Sequence, residues 1–362
     1  MLNAGQINLL VHLKRFSVAD QKTSLLALDT EKTQNKDNLL YSLRPLMKNG
    51  YISKRKDGLY GLLSPGKELT EHIHPILTIG GDAGGRHRAA EVSHMAALLN
   101  WHGIPTIPFI PPDGQNGFIP SAIWRTLRSG LISTTRFLGV LFYNELRLAV
   151  YHIENGDYEW QLRAECSLHF WNYNTSETRL TGILLVCDDG CAVETGKQII
   201  RHTLWERKVL LEESRSQRTD PVRYSMKPIR LRADYKHSYL AEESEVIEVL
   251  RLAKSDKTAF ERFKDMHSGS VAGKRECRFA FYPDSSNHHY LSISHDLLFL
   301  AYFYDGVKRK VQSDSRMTHK RSDECYTNHL YLPERLAEWG TFLKLPVTIH
   351  PLNEEEIRCL IS

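Results

Sequence analysis

Leu43-Arg44-Pro45-Leu46-Met47-Lys48-Asn49-Gly50-Tyr51-Ile52-Ser53-Lys54-Arg55-Lys56-Asp57-Gly58-Leu59-Tyr60 is the stretch whose reading decides the fold. It starts as the end of an amphipathic helix, turns at Asn49-Gly50, and passes into two short β-prone runs around three consecutive cations. Asp57-Gly58 is a dipeptide that suits a two-residue hairpin turn. Working upstream, the helix begins near Thr33 and carries Leu39, Leu40, Leu43, Leu46 and Met47 on one side. Two earlier helical patterns cover about Asn3 to Phe16, with Ile7, Leu10, Val11 and Lys14 at helical spacing, and about Val18 to Leu28. Downstream, Leu63-Ser64-Pro65-Gly66-Lys67-Glu68-Leu69 closes the region near His74. Three helices followed by a basic hairpin is the pattern of a winged helix-turn-helix, which places its third helix in the DNA major groove with the wing beside it.

The polar face of that third helix holds Gln34, Asn35, Lys36, Asn38, Tyr41 and Arg44. Asparagine and glutamine pair with adenine edges, and arginine and lysine with guanine or phosphate. Lys54, Arg55 and Lys56 on the wing are placed for phosphate or minor-groove contact. Pro45 lies inside the helix, cannot donate to the carbonyl of Tyr41, and suggests a kink there.

At 362 residues with 41% apolar content, the chain has room for two or three domains with ordinary cores. No apolar run approaches the ~20 residues of a membrane span, and the N-terminus lacks a basic-then-apolar leader pattern. A cytoplasmic protein without membrane partners is expected. The six cysteines are scattered, so reduced thiols are the default. Cys187 and Cys191 lack the second pair that a zinc site needs. Net charge is only +4, but charge is concentrated locally. Residues 1–74 carry 11 basic against 7 acidic side chains, and residues 201–232 carry 9 against 4. A third basic run, Lys308 to Arg321, follows. Such segments suit phosphate contact or a solvated loop equally.

The expected organisation has four parts: a winged helix over 1–74, a linker and helix over 75–118, a mixed α/β domain over 119–265, and a C-terminal extension over 266–362. Gly80-Gly81-Asp82-Ala83-Gly84-Gly85 reads as a hinge, since it has neither P-loop nor dinucleotide spacing. A helix follows from Arg86 to Gly103, then an irregular stretch from Ile104 to Pro120 and a short helix from Ala122 to Gly130. Thr135 to Tyr143 and Leu146 to Ile153 are strands joined by Asn144-Glu145. A helix over about Asp157 to Asn172, a strand over Thr178 to Cys187 and a helix from Val193 to Trp205 complete a β-β-α-β-α order. A loose basic stretch from Glu212 to Tyr235 precedes a helix from Ala241 to Asp265. Strands over Glu276–Tyr282 and Tyr290–Ser294, an apolar Leu297–Tyr304, a short helix from about Leu332 to Phe342 and a strand over Pro346–His350 follow.

The β-β-α-β-α order is compatible with the PD-(D/E)XK nuclease architecture, whose chemistry needs acids around a divalent metal and a lysine two residues after the second acid. Candidate acids are Asp113, Glu154, Asp157, Glu165, Asp188 and Asp189. The acid-x-lysine triplets, Asp20-Gln21-Lys22, Glu206-Arg207-Lys208 and Asp234-Tyr235-Lys236, fall on none of the expected core strands. His288-His289 and His295-Asp296 near Asp284 offer another metal or general-base constellation, equally readable as polar loop residues. No catalytic residue, metal set or cofactor is assigned.

The segments Leu43 to Ile52, Leu63 to Leu69, Ile119-Pro120-Ser121 and Arg136 to Phe142, with Leu148 to His152, Trp160 and Glu165 beyond, resemble the replication-relaxation proteins of bacterial plasmids and integrative conjugative elements. The resemblance implies a winged helix joined to a domain distantly similar to PD-(D/E)XK nucleases, and DNA binding in replication, transfer or their control. The expected function is sequence-specific double-stranded DNA binding by a homodimer, with a replication or transfer protein as partner. A metal-dependent nuclease and a non-enzymatic interaction scaffold are the alternatives.

Overall fold

Asn3 opens the first helix, α1 (Ala4–Phe16), through a reciprocal cap: its side chain accepts from the Gln6 N–H at 2.8 Å, and the Gln6 side chain accepts from the Asn3 N–H at 3.1 Å. The buried stripe of α1 is Leu9, Leu10, Leu13 and Phe16, whereas Ile7 is half exposed. The expected stripe through Ile7, Val11 and Lys14 is therefore rotated, because α1 packs against α2, α3 and α5 rather than on one neighbour. The second helix, α2 (Gln21–Leu28), starts later than its apolar pattern, since Asp20 caps it by accepting from Thr23 N–H at 2.7 Å.

The structure is a computed structural model that describes residues 2–29, 36–77, 83–127, 137–153, 180–199, 237–267, 280–281, 287–297, 327–342 and 347–362. It is a mixed α and β architecture in two units, Met1–His152 and Ile153–Ser362. Among the described residues no helix is long and apolar enough to cross a membrane.

In the first unit α3 (Lys36–Lys48) leads into the antiparallel strands β1 (Ile52–Lys54) and β2 (Tyr60–Leu62), and α4 (Ser64–Leu69) follows. Helix α4 occupies what reads in sequence as a mere closing segment, with Pro65 in its first turn where no N–H is required. Helix α5 (Ala83–Trp101) begins three residues earlier than its apolar pattern and takes Gly84 and Gly85 into its first turn. It packs on α1 and α2: the ring of His12 meets Ser93 Oγ at 2.8 Å, and Thr23 Oγ1 meets His94 Nδ1 at 3.1 Å. Beyond it, β3 (Gly117–Pro120), α6 (Ser121–Leu127), β4 (Phe137–Tyr143) and β5 (Leu146–Ile153) form an antiparallel meander with a short helix. Strand β3 corrects the expectation of an irregular stretch to Pro120. Its four residues are all buried, so no alternation marks it in sequence. Asn144, with φ of 53°, makes the tight β4–β5 turn that Asn144-Glu145 suggests.

In the second unit β6 (Gly182–Cys187) and β7 (His237–Glu242) pair in parallel, and a helix α7 covers 192–199. Ala241 and Glu242 belong to β7, not to the helix expected from Ala241. A 3-10 turn then leads into α8 (Val246–His267), because the helical apolar period takes hold only at Val246. A four-stranded mixed sheet follows in the order β11-β10-β9-β8, from β8 (Ala280–Phe281), β9 (Asn287–Leu291), β10 (Thr327–Pro333) and β11 (Val347–Leu352). Helix α9 (Ala337–Phe342) links β10 to β11. A terminal helix α10 (Glu354–Ile361), capped by Asn353, was not anticipated. Trp339 of α9 is fully buried and donates from Nε1 to the Val193 carbonyl at 3.0 Å. The expected helix over 157–172, the basic stretch 212–235 and the apolar run 298–304 lie outside the described residues.

Candidate nucleic-acid interface

Leu43 and Leu46 anchor α3 in a core shared with Leu9, Leu10, Leu13, Ala19, Leu28, Ile52 and Tyr60. Gln6 Nε2 donates to the Ser42 carbonyl at 2.9 Å and ties α1 to the same helix. With that face committed, Asn38, Tyr41, Arg44 and Lys48 are left exposed. Met47, expected in the core stripe, is 37% exposed, because the core closes on Leu43 and Leu46 with Leu39 packed beside them. Pro45 is exposed within α3, which continues as helix to Lys48, and its carbonyl accepts from Asn49 N–H at 2.9 Å. Tyr41 is 66% exposed, and the Arg44 guanidinium sits 5.1 Å from its ring centroid. This cation–π pair on one turn of helix holds two large hydrogen-bonding groups outward together.

The helix ends so as to deliver the hairpin at once. Gly50, with φ of 72°, donates to the Met47 carbonyl, and Tyr51 N–H donates back to Leu46. This pair of bonds with a left-handed glycine is a Schellman ending, and it turns the chain directly into β1. The hairpin registers Ile52 with Leu62 and Lys54 with Tyr60. Ala19, between α1 and α2, exchanges both backbone hydrogen bonds with Tyr60 and adds a third short element beside β2.

The turn itself differs from the expected two-residue Asp57-Gly58 form. Gly58 N–H donates to the Arg55 carbonyl at 3.0 Å, Arg55 N–H donates to Leu59, and Gly58 has φ of 86°. The turn thus spans Arg55–Gly58 and ends on a left-handed glycine, which the Asp57 side chain favours by accepting from Leu59 N–H at 3.3 Å. Asp57 also accepts from Arg86 Nε of α5 at 2.8 Å. That hydrogen bond from Arg86 is the main reason its carboxyl titrates below the ordinary range. Val18, Leu59, Ala89 and Ala90 form a small apolar cluster on the same brace. Lys54, Arg55 and Lys56 are all exposed; Lys54 Nζ lies 5.6 Å from the Tyr60 ring centroid, and the Arg55 guanidinium lies over Gly61.

Of the nine residues read from sequence as DNA contacts, the structure places Asn38, Tyr41, Arg44, Lys54, Arg55 and Lys56 at the surface of the first unit. Gln34 and Asn35 lie outside the described residues, and Lys36 is the first residue of α3. Lys48 was missed, although it follows Arg44 by one helical turn. Arg86 was missed because nothing local marks it.

Of the acids considered for metal chemistry, three have structural roles in the fold, while Asp188 stands half-buried just after β6. Asp113 pairs with Arg147 at 2.5 Å, Asp189 accepts from Ser244 N–H at 2.9 Å, and Asp20 caps α2. Glu154, Asp157, Glu165 and the triplets at 206–208 and 234–236 lie outside the described residues. Burial pushes the Cys187 thiol up to about 12, and it donates to the Ala241 carbonyl, so it is a neutral core thiol. His295 is buried with φ of 58°. Its Nδ1 faces the Leu240 carbonyl at 3.2 Å and its Nε2 faces an Arg335 N–H at 2.7 Å. A carbonyl only accepts and a guanidinium only donates, so this geometry fixes a neutral imidazole protonated on Nδ1. Desolvation, accordingly, pulls its pKa down to about 4.

Comparison of the chain with known protein families, characterised proteins and solved structures finds no match.

Proposed function

We propose that residues 1–74 form a winged helix that binds double-stranded DNA, with α3 in the major groove and the β1–β2 hairpin against the backbone. The observation that carries this reading is the pairing of Tyr41 and Arg44 on the outward face of α3 with three exposed cations on the hairpin that α3 feeds. Tyr41, Arg44 and Asn38 then read or frame bases, and Lys48, Lys54, Arg55 and Lys56 neutralise phosphates. The short element at Ala19 beside β2 supports the reading, since winged helices complete their wing sheet from the segment after the first helix.

In this reading the chain acts as a homodimer in replication, transfer or transcriptional control of a plasmid or other mobile element, together with a replication or transfer protein. Residues 119–265 serve as a PD-(D/E)XK-like platform for dimerisation or docking rather than for cleavage. Binding is favoured over nuclease chemistry because no acid-x-lysine triplet falls on an expected core strand, the Asp20 triplet lying instead at the cap of α2.

The test is binding of the full chain to fragmented host and plasmid DNA at two salt concentrations, with and without Mg²⁺. Salt-sensitive enrichment of a short site without strand cleavage is expected. Absence of salt-sensitive affinity would overturn the reading in favour of an interaction scaffold. Mg²⁺-dependent cleavage would restore the nuclease.

A further inference from the structure

Strand β10 lies between β9 and β11, all three parallel. The register sets His329 opposite His289 on one side and Thr348 on the other, and Tyr331 opposite Leu291 and His350. Side chains two residues apart share a face of a strand, so His289, His329, Tyr331 and His350 project from the same face. They form a continuous ring stack. The His289 and His329 rings lie 4.8 Å apart at 19°, and those of Tyr331 and His350 lie 4.4 Å apart at 12°. Phe263 of α8 meets Tyr331 edge-on at 4.6 Å. His289 Nδ1 and Tyr331 Oη are within hydrogen-bond distance at 3.2 Å. Across this stack His329 Nδ1 and His350 Nε2 face each other at 3.0 Å, and both rings are only half-buried.

We infer that the facing imidazoles of His329 and His350 are a two-nitrogen clamp for a divalent transition cation of the zinc, copper or nickel class.

Two Zn–N bonds of about 2.0–2.1 Å at a tetrahedral angle place their nitrogens roughly 3.3–3.4 Å apart. The observed separation needs an opening of only a few tenths of an ångström. The cation takes the place of the shared proton, which moves to the other nitrogen of the ring that carried it, so both imidazoles remain neutral; water fills the other positions because the rings reach solvent. Imidazole donors select these borderline metals over magnesium and calcium, which require oxygen ligands. Tyr331 forms a wall of the site, its ring stacked on His350 and its hydroxyl within hydrogen-bond distance of His289. His289 and Tyr331 position the clamp by stacking on His329 and His350.

The test is calorimetric titration of metal-stripped, full-length protein with Zn²⁺, Ni²⁺, Cu²⁺ and Mg²⁺ near neutral pH. Because the chain has 17 histidines, the informative quantity is the difference between variants. One transition-metal site of micromolar affinity is expected, with Mg²⁺ silent. His329→Gln or His350→Gln should weaken that site by about tenfold or more, while His74→Gln, at an exposed histidine of the first unit, should leave it unchanged. The Cu²⁺ form should show nitrogen hyperfine splitting from two imidazoles, reduced to one in His350→Gln. Wild-type-like binding by both His329→Gln and His350→Gln would overturn the inference, as would no transition-metal site in the wild type. Should either variant fail to fold, the wild type decides. Zn²⁺ should protect His329 and His350 from diethyl pyrocarbonate, and equal labelling of both with and without Zn²⁺ would equally overturn it.

Discussion

Removing two cations from the hairpin should change how DNA affinity depends on salt. The perturbation is Lys54→Ala with Arg55→Ala. Both side chains are exposed: Lys54 rests against Tyr60 and Arg55 lies along the Gly61 backbone, so neither fills core volume. Lys54 is exposed and only reaches the buried Tyr60 ring at 5.6 Å, so losing this contact costs roughly 0.5–1 kcal/mol of folding stability. Each phosphate contact releases counterions worth about 0.9 in the slope of log affinity against log salt, so two contacts account for about 1.8. Over a rise from about 50 to about 200 mM salt, the wild type should then lose about twelvefold more affinity than the double variant. Fluorescence anisotropy on a short duplex, at four or more salt concentrations, reads the slope directly. A denaturant melt on the same samples shows whether the fold is intact. The loss should be similar on specific and random duplexes, because phosphates carry no sequence. An unchanged slope in a folded variant would refute the placement of the hairpin against DNA.

Asp57→Asn keeps an acceptor for Leu59 and Arg86 but removes a negative charge beside three cations, so DNA binding should tighten; weaker binding in the same anisotropy assay would contradict the electrostatic role of the wing. Gly5→Ala should destabilise the first unit despite a helix-propensity gain of up to ~1 kcal/mol: the added methyl would stand 2.3 Å from the Leu28 carbonyl oxygen, and forcing α1 and α2 apart costs roughly 1–3 kcal/mol. A higher urea midpoint would show that the helices tolerate separation. Trp339→Ala should cost about 3–5 kcal/mol in denaturant unfolding, since its ring is fully buried against Gly196 and its N–H bonds Val193; a cost below about 1 kcal/mol would mean that α9 is not part of the core. Stability should fall as pH drops below the ordinary histidine value of 6.5, because desolvation pulls His12 to about 3 and His295 to about 4. The unfolded chain then binds protons that the folded chain refuses, at up to about 1.4 kcal/mol per pH unit for each histidine, and the contribution is complete above 6.5. Equal midpoints at pH 7 and pH 5 would contradict the desolvation of these rings.

The candidate interface was legible wherever it rests on local rules. Helical period put Tyr41 and Arg44 on the face opposite Leu43 and Leu46, and a tripeptide of cations between β-prone runs marked the hairpin. The errors arose where packing overrides period. The stripe of α1 was misplaced because three helices share its sides, and Met47 was assigned to a core that Leu39, Leu43 and Leu46 already complete. Strand β3 escaped notice because four buried residues ending in proline carry no alternation. The start of α8 was set too early because Ala241 and Glu242, which end β7, are residues that favour helix. Partnerships across sequence distance left no local trace. Asp57 and Arg86 meet only once α5 folds back, and His289, His329 and His350 come from three strands whose parallel pairing no short pattern encodes.

Helix α5 changes what the hairpin can be. The glycine-rich approach to it reads as a hinge, which would leave residues 1–74 a module on a tether. Yet α5 supplies partners to α1, α2 and the hairpin. Ser93 holds His12 of α1, and His94 holds Thr23 of α2. Arg86 holds Asp57 of the hairpin turn, and Ala89 and Ala90 pack with Leu59 beside it. The chain returning from α4 is fastened as well, with Ile76 and Leu77 donating to the Arg15 carbonyl and Ser17 donating to Leu77. A hairpin with only three residues in each strand has little stability of its own. Its orientation relative to α3 therefore depends on α5 as much as on the turn. The DNA-binding unit in this reading is the first unit with α5 included, and a fragment cut at residue 74 would lose the brace while keeping every candidate contact.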